Sequence, residues 1–301
     1  MHRARQRGFT LIELSIVLVV IGLIVGGVLV GKDLVGAAAV RAQVTQIERF
    51  NTAANTFQTV YNCLPGDCSN ATALGFVARA GTRGRGDGNG LIEGYNYPYA
   101  SVTPTVQSGE PLFFWEDLSS AQLIDGSFNT AGDWGIGTTN LAPYLPAAKL
   151  GNSNFVYVYS GGMCTYCSGT TLTGGDNTNY FGLSAPTSIT ASTNVMVSNP
   201  GITVSQAYAI DTKVDDGLPT SGRVTAKYVY YWAGSNDGVI WAAGGTFGAT
   251  GTAPGNAATG SSTTCYDNGN NAANPMQYST EISNGTGMNC ALSFQMQGAA
   301  R

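Results

Sequence analysis

Arg7-Gly8-Phe9-Thr10-Leu11-Ile12-Glu13-Leu14 opens an apolar run that continues to Gly31, and the rest of the chain is arranged behind it. Three arginines (Arg3, Arg5, Arg7) precede Gly8, and Glu13 is the only charge between Phe9 and Gly31. At about 1.5 Å per residue this run makes a helix of roughly 34 Å, enough to cross a bilayer core of about 30 Å. A carboxylate inside such a span costs about 2.5–3.5 kcal/mol near its centre, so Glu13 marks a partner or a pathway. The basic residues lie on the N-terminal side of the run, with none after it until Lys32. The positive-inside tendency therefore keeps the leader in the cytoplasm and exports everything past Lys32.

Gly8-Phe9-Thr10-Leu11-Ile12-Glu13 resembles the cleavage and methylation signal of type IV prepilins and of the pseudopilins of type II secretion. The resemblance covers about the first tenth of the chain. It implies that a prepilin peptidase cuts after Gly8, that Phe9 becomes an N-methylated first residue, and that Glu13 meets the freed amine during assembly. It also implies an inner-membrane protein, bathed in lipid, that inner-membrane machinery later adds to a periplasmic or cell-surface filament with copies of itself or other pilins. The rival is an ordinary secretory signal cleaved at Ala37-Ala38-Ala39. The run exceeds the usual apolar segment of about 7–15 residues, and a carboxylate five residues in suits that reading poorly.

The helical pattern continues beyond the apolar run. No proline occurs from Lys32 to Tyr61, and Val40, Val44, Ile47, Phe50, Ala54, Phe57 and Tyr61 recur at steps of three and four. That spacing predicts one amphipathic helix with Asp33, Arg41, Gln43, Gln46, Glu48 and Arg49 on its remaining surface. The chain thus divides into a cleaved leader (1–8), a membrane and filament-core helix (9–31), its amphipathic continuation (32–61) and an extracytoplasmic β-rich domain (62–301). Gly22 with Gly26, and Gly27 with Gly31, have the spacing that lets apolar helices approach closely.

Composition bounds the exported part. The 301 residues carry a net charge of −4, only 11% are charged and 41 are glycine. This suits a loop-rich β domain and gives no electrostatic footprint for nucleic acid. The only histidine is His2, in the leader, which excludes Ser-His-Asp and Cys-His catalysis and His-ligated zinc from the mature chain. Export favours disulfides, and proximity pairs Cys63 with Cys68, Cys164 with Cys167 and Cys265 with Cys290, although six cysteines allow fifteen connectivities.

Coarser signals place the remaining elements. Pro111 to Ile124 predicts a short helix ended by Asp125-Gly126, whose Phe113, Phe114 and Trp115, like Trp134, read as core. Strands are expected over Asn154–Ser160 and in a hairpin of 224–232 with 238–243 around Gly234-Ser235-Asn236-Asp237. Thr203-Val204-Ser205-Gln206 fits a capping box opening a helix that stops near Asp216-Gly217. Residues 244–264 read as loop or linker.

Two acidic stretches have oxygen donors beside glycine: Asp87 with Asn89, and Asp211 with Asp215 and Asp216. An EF-hand is rejected for the first, because its end positions are Arg85 and Asn96. No cofactor is required; calcium is the ion such acids would take. The architecture expected is α+β, a long N-terminal helix packed on an antiparallel sheet with disulfide-closed loops. The expected function is a structural subunit of a type IV pilus-like or type II secretion filament, with no enzyme activity. The alternatives are a minor tip subunit acting as adhesin or as a surface- or DNA-binding module, and a membrane-tethered hydrolase using Asp211, Asp215 and Asp216.

Overall fold

The computed structural model describes residues 9–96, 101–103, 108–128, 132, 137–161, 178–190, 195–230, 238–242 and 255–298. Gly8, Trp134, Cys164, Cys167, the turn at 234–237 and residues 244–254 lie outside them. Helix α1 (Leu11–Tyr61) runs 51 residues. Thr10 caps its start with extended backbone, and Asn62 ends it in the left-handed conformation, its N–H donating to the Gln58 carbonyl. The first half is exposed, and buried residues begin at Val40. From there Val40, Ile47, Phe50, Ala53, Ala54 and Phe57 face the domain, with Val44 and Tyr61 packed at its edge.

Gln43 and Gln46, expected on the open face, are buried. Gln46 donates from Nε2 to the Ala147 carbonyl (2.9 Å) and accepts from Lys149 N–H (3.1 Å), while Gln43 Oε1 accepts from Leu150 N–H (3.2 Å). These amides take up the backbone groups of 147, 149 and 150 that the short antiparallel bridge of Ala147 to Phe155 leaves over. Those bonds offset the burial of the two side chains, while Gln43 Nε2 is buried with no hydrogen-bond partner among the described residues.

The other elements, in order, are β1 (Gly94–Asn96), β2 (Ser101–Thr103), α2 (Glu110–Ser120), β3 (Phe155–Ser160), β4 (Asn179–Thr190), β5 (Val195–Asn199) and α3 (Val204–Val214). Then follow β6 (Val224–Thr225), β7 (Lys227–Val229), β8 (Val239–Trp241), β9 (Tyr266–Asp267), β10 (Gln277–Tyr278) and β11 (Leu292–Gln295). The main sheet has the order β3-β4-β11-β6, entirely antiparallel, and the outer half of β4 pairs with β5. The fold is therefore α+β, with a long N-terminal helix on an antiparallel sheet.

The β4 strand organises the sheet. Phe181 packs under Phe50 of α1 (6.3 Å between centroids) and beside Trp115 of α2 (6.4 Å). Phe113, Phe114 and Trp115 are fully buried, and each such side chain contributes roughly 1.5–3 kcal/mol by leaving water. Helix α2 ends at Ser120, four residues before the expected Ile124. The expected hairpin is present as β7 paired with β8, extended by Tyr230 N–H on the Gly238 carbonyl (2.8 Å) and Ala242 N–H on the Ala226 carbonyl (2.8 Å), while Val224 and Thr225 (β6) leave it to pair with β11. Residues 255–264 hold no helix or strand, yet Ala258 is buried and its N–H donates to Asn268 Oδ1 (2.8 Å), so this part is pinned to the body and is not a free linker.

Candidate functional site

The N-terminal end of α1 is built by two residues. Thr10 Oγ1 accepts from the Glu13 N–H (3.2 Å), and Glu13 Oε2 accepts from the Thr10 N–H (2.8 Å) and hydroxyl (2.9 Å). This reciprocal capping box satisfies two of the helix's orphan donors. Phe9 precedes it, outside the helix and 86% exposed. Behind it Leu11 to Val35 expose apolar side chains on every side. By length and composition this is a helix able to cross a membrane.

A second constellation surrounds the glycine-rich segment 84–93. Asp67 sits inside the six-residue ring closed by the Cys63–Cys68 disulfide. Its two oxygens accept from Gly88 N–H and Gly90 N–H, both at 2.7 Å. Glu110, at the start of α2, accepts from Gly86 N–H and Glu93 N–H, both at 2.8 Å. Gly86, Gly88 and Gly90 all have φ near +80°, a backbone that L side chains rarely adopt. Asp117 takes Gly66 N–H (2.7 Å) and a bidentate Arg79 (2.7 and 3.1 Å), and Arg79 also stacks on Phe113. Glu93 pairs with Arg83 (3.0 and 3.2 Å).

Burial dominates the electrostatics there. It pushes the Asp67 carboxyl up to about 7 against the pull of the two glycine N–H groups. Burial likewise raises Glu110, with the Asp67 charge adding to it. Asp67, Asp87 and Glu110 offer ligand atoms within 4.8 Å of one another. The Asp87 oxygens meet the Asn89 N–H (3.2 Å) and side-chain amide (3.1 Å), so Asp87 and Asn89 close a local turn.

The third group lies at the end of α3, where the Thr203–Gln206 capping box opens the helix. Asp211 is buried, accepts from Gly217 N–H (3.2 Å) and from the Tyr278 hydroxyl (2.8 Å), and its carboxyl is pushed up to about 7 by desolvation. Asp215 accepts from the N–H groups of Arg223 and Val224, and Asp216 from Leu218 N–H and the Ser221 hydroxyl. Ligand atoms of the three acids also fall within 4.8 Å. A cation here would share carboxylate oxygens with those donors. The Cys265–Cys290 disulfide joins the segment before β9 to the one before β11.

Sequence reasoning took up Asp87, Asn89, Asp211, Asp215 and Asp216 but passed over Asp67, Glu93, Glu110 and Asp117. Their signal was a run of glycines that needs carboxylates to hold its N–H groups, and no local spacing connects Asp67 to Glu110. It also passed over the Thr10-x-x-Glu13 capping pattern, which the apolar run disguises.

Residues 3–29 match the family model described as the prokaryotic N-terminal methylation motif. No curated protein and no solved structure matches the chain.

Proposed function

From a chain that carries the cleavage and methylation signal of type IV prepilins and pseudopilins, we infer a structural filament subunit, cut after Gly8 and methylated at Phe9. The signal points to a pilin-type protein, a class that is usually non-enzymatic. The observation that carries the filament role is the two-part α1. One uninterrupted helix packs its C-terminal half on the domain, and its apolar N-terminal half, headed by Phe9 and Glu13, is exposed. Lipid covers that half in the inner membrane, with the N-terminus cytoplasmic. Other copies, or other pilins, cover it in the filament, and the 62–301 domain faces outward. A prepilin peptidase and inner-membrane assembly machinery are the partners this reading requires.

Intact-mass measurement of the membrane-extracted protein tests it. The expected mass begins at methylated Phe9, and Gly8→Ala leaves the precursor uncut; a start after Ala39 removes the reading. Sheared surface filaments containing the chain are the companion observation.

Calcium is proposed for Asp211, Asp215 and Asp216, and more weakly for Asp87 with Asn89, because a hard cation takes such all-oxygen donor sets. Melting the full chain in detergent with calcium, magnesium or chelator is the test. A midpoint that ignores calcium assigns these acids wholly to the N–H and O–H groups they already hold.

A further inference from the structure

The Cys63–Cys68 ring stands where three parts of the fold meet. It begins one residue after the Asn62 cap of α1. Gly66 lies against the first turn of α2 so closely that a Cβ there would sit 2.4 Å from the Glu110 carbonyl oxygen. Its N–H is held by Asp117, which in turn holds Arg79. Asp67, the next residue, clamps Gly88 and Gly90. Segment 84–93 buries little apolar side chain apart from Ile92; Glu110 and the Asn179 amide of β4 hold its two ends, and Asp67 holds the Gly88–Gly90 stretch between them. The placement of Gly88 and Gly90 therefore depends on where a disulfide ring puts Asp67.

We propose that Cys63–Cys68 is a redox latch on segment 84–93. Closing it joins two thiols by exchange with the disulfide of an oxidant. Two electrons and two protons pass to that oxidant, which leaves as a dithiol. Opening is the reverse, with a dithiol reductant attacking the sulfur of Cys63, the less buried residue of the pair, and expelling Cys68, which is buried. With the ring open, residues 63–68 regain backbone freedom and Asp67 leaves its place over Gly88 and Gly90. The cleft lined by Gln58, Tyr61, Asp67, Ser69, Asp87 and Gly88 is then lost. The oxidation state of an exported chain thus sets the shape of the surface beside the end of α1. This inference stands apart from the filament reading and uses only residues of the exported domain.

Arginines inside and beside the segment supply the readout. Arg83 is half exposed, yet its backbone is held in the 82–85 turn by Arg85 N–H on Thr82 O (2.7 Å) and Gly81 N–H on Arg85 O (3.0 Å). Limited trypsin digestion of the full chain in detergent, mapped by mass, measures opening there. Cys63→Ala with Cys68→Ala, which spares Cys265–Cys290, is expected to speed cleavage after Arg83 and Arg85 at least about tenfold, while Arg223 and Lys227 stay as protected as in the parent. Asp67→Ala, with the ring intact, is expected to do the same. Parental cleavage rates in either variant overturn the latch. So does an equal acceleration at Arg223 and Lys227, because the ring would then hold the whole fold and not this segment.

Discussion

The Glu13 carboxylate lies 2.8 Å from the backbone N–H of Thr10, so the one charge in the apolar run is committed to its own helix before any neighbour arrives. Pairing with the Phe9 amine of an adjacent subunit must compete with that cap. Glu13→Gln separates the two roles, since glutamine also serves in a capping box but carries no charge to offset a buried ammonium. Glu13→Gln is expected to keep the helix start and still enter filaments poorly. Glu13→Ala also loses the cap, at about 1 kcal/mol, while leaving a folded, membrane-inserted monomer. Filament yield from sheared cells, set beside membrane content, checks both; a normal yield from Glu13→Gln removes the charge pairing.

Glu116 sets a pH dependence. It is buried on α2, its Oε2 lacks a hydrogen-bond partner among the described residues, and desolvation pushes its carboxyl up to about 7, helped by Asp117 and opposed by Arg79. The unfolded chain releases that proton near 4.5. The fold therefore binds more protons than the unfolded chain between these values, and this contribution to stability is lost as pH rises from 4.5 through 7. Glu116→Gln is expected to flatten the slope of melting midpoint against pH over that window and to melt above the parent at pH 8. An unchanged slope refutes the assignment.

Gly182 of β4 lies beneath the ring of Tyr157, its partner across β3; an added Cβ would meet that ring at 2.1 Å. The ring cannot yield freely. Its hydroxyl accepts from Val229 N–H (3.0 Å) and from Ser184 (3.1 Å). Gly182→Ala is expected to destabilise by about 1–3 kcal/mol, the usual range for overpacking, and Tyr157→Leu in the same chain to recover part of it. Denaturant midpoints of the two variants decide.

Peptide mapping without reduction is expected to find Cys63–Cys68 and Cys265–Cys290, with Cys164–Cys167 as the remaining pair. Closing 25 residues of separation gives the Cys265–Cys290 bridge about 3–4 kcal/mol in the chain-entropy account. Its double alanine variant should therefore lose the most stability of the three.

Elements with local periodicity were legible in the sequence. The stripe from Val40 to Tyr61 and the Thr203–Gln206 box each carry their signal within one or two helical turns. The strand β4 was not legible, although it is the centre of the sheet. It contains Gly182 and Pro186 among serines and threonines, residues that argue against a strand. Gly182 is there because Tyr157 covers it. Pro186 sits where the register to β5 shifts. Both reasons lie on neighbouring strands. The acid clamp was hidden for the same cause, since Asp67, Gly88 and Glu110 are brought together by the turn after α1 and the start of α2.

Helix α1 also has a mechanical meaning. Its 51 residues contain no proline and run as one continuous helix, so a pull on the free half is carried along it into the domain. Tension along it arrives at Gln43, Gln46 and Asn51, whose side chains hold the backbone of residues 147, 149, 150 and 297. Those four bonds all join α1 to the domain and share the load. Parting the domain from its helix under force would require several to fail at once.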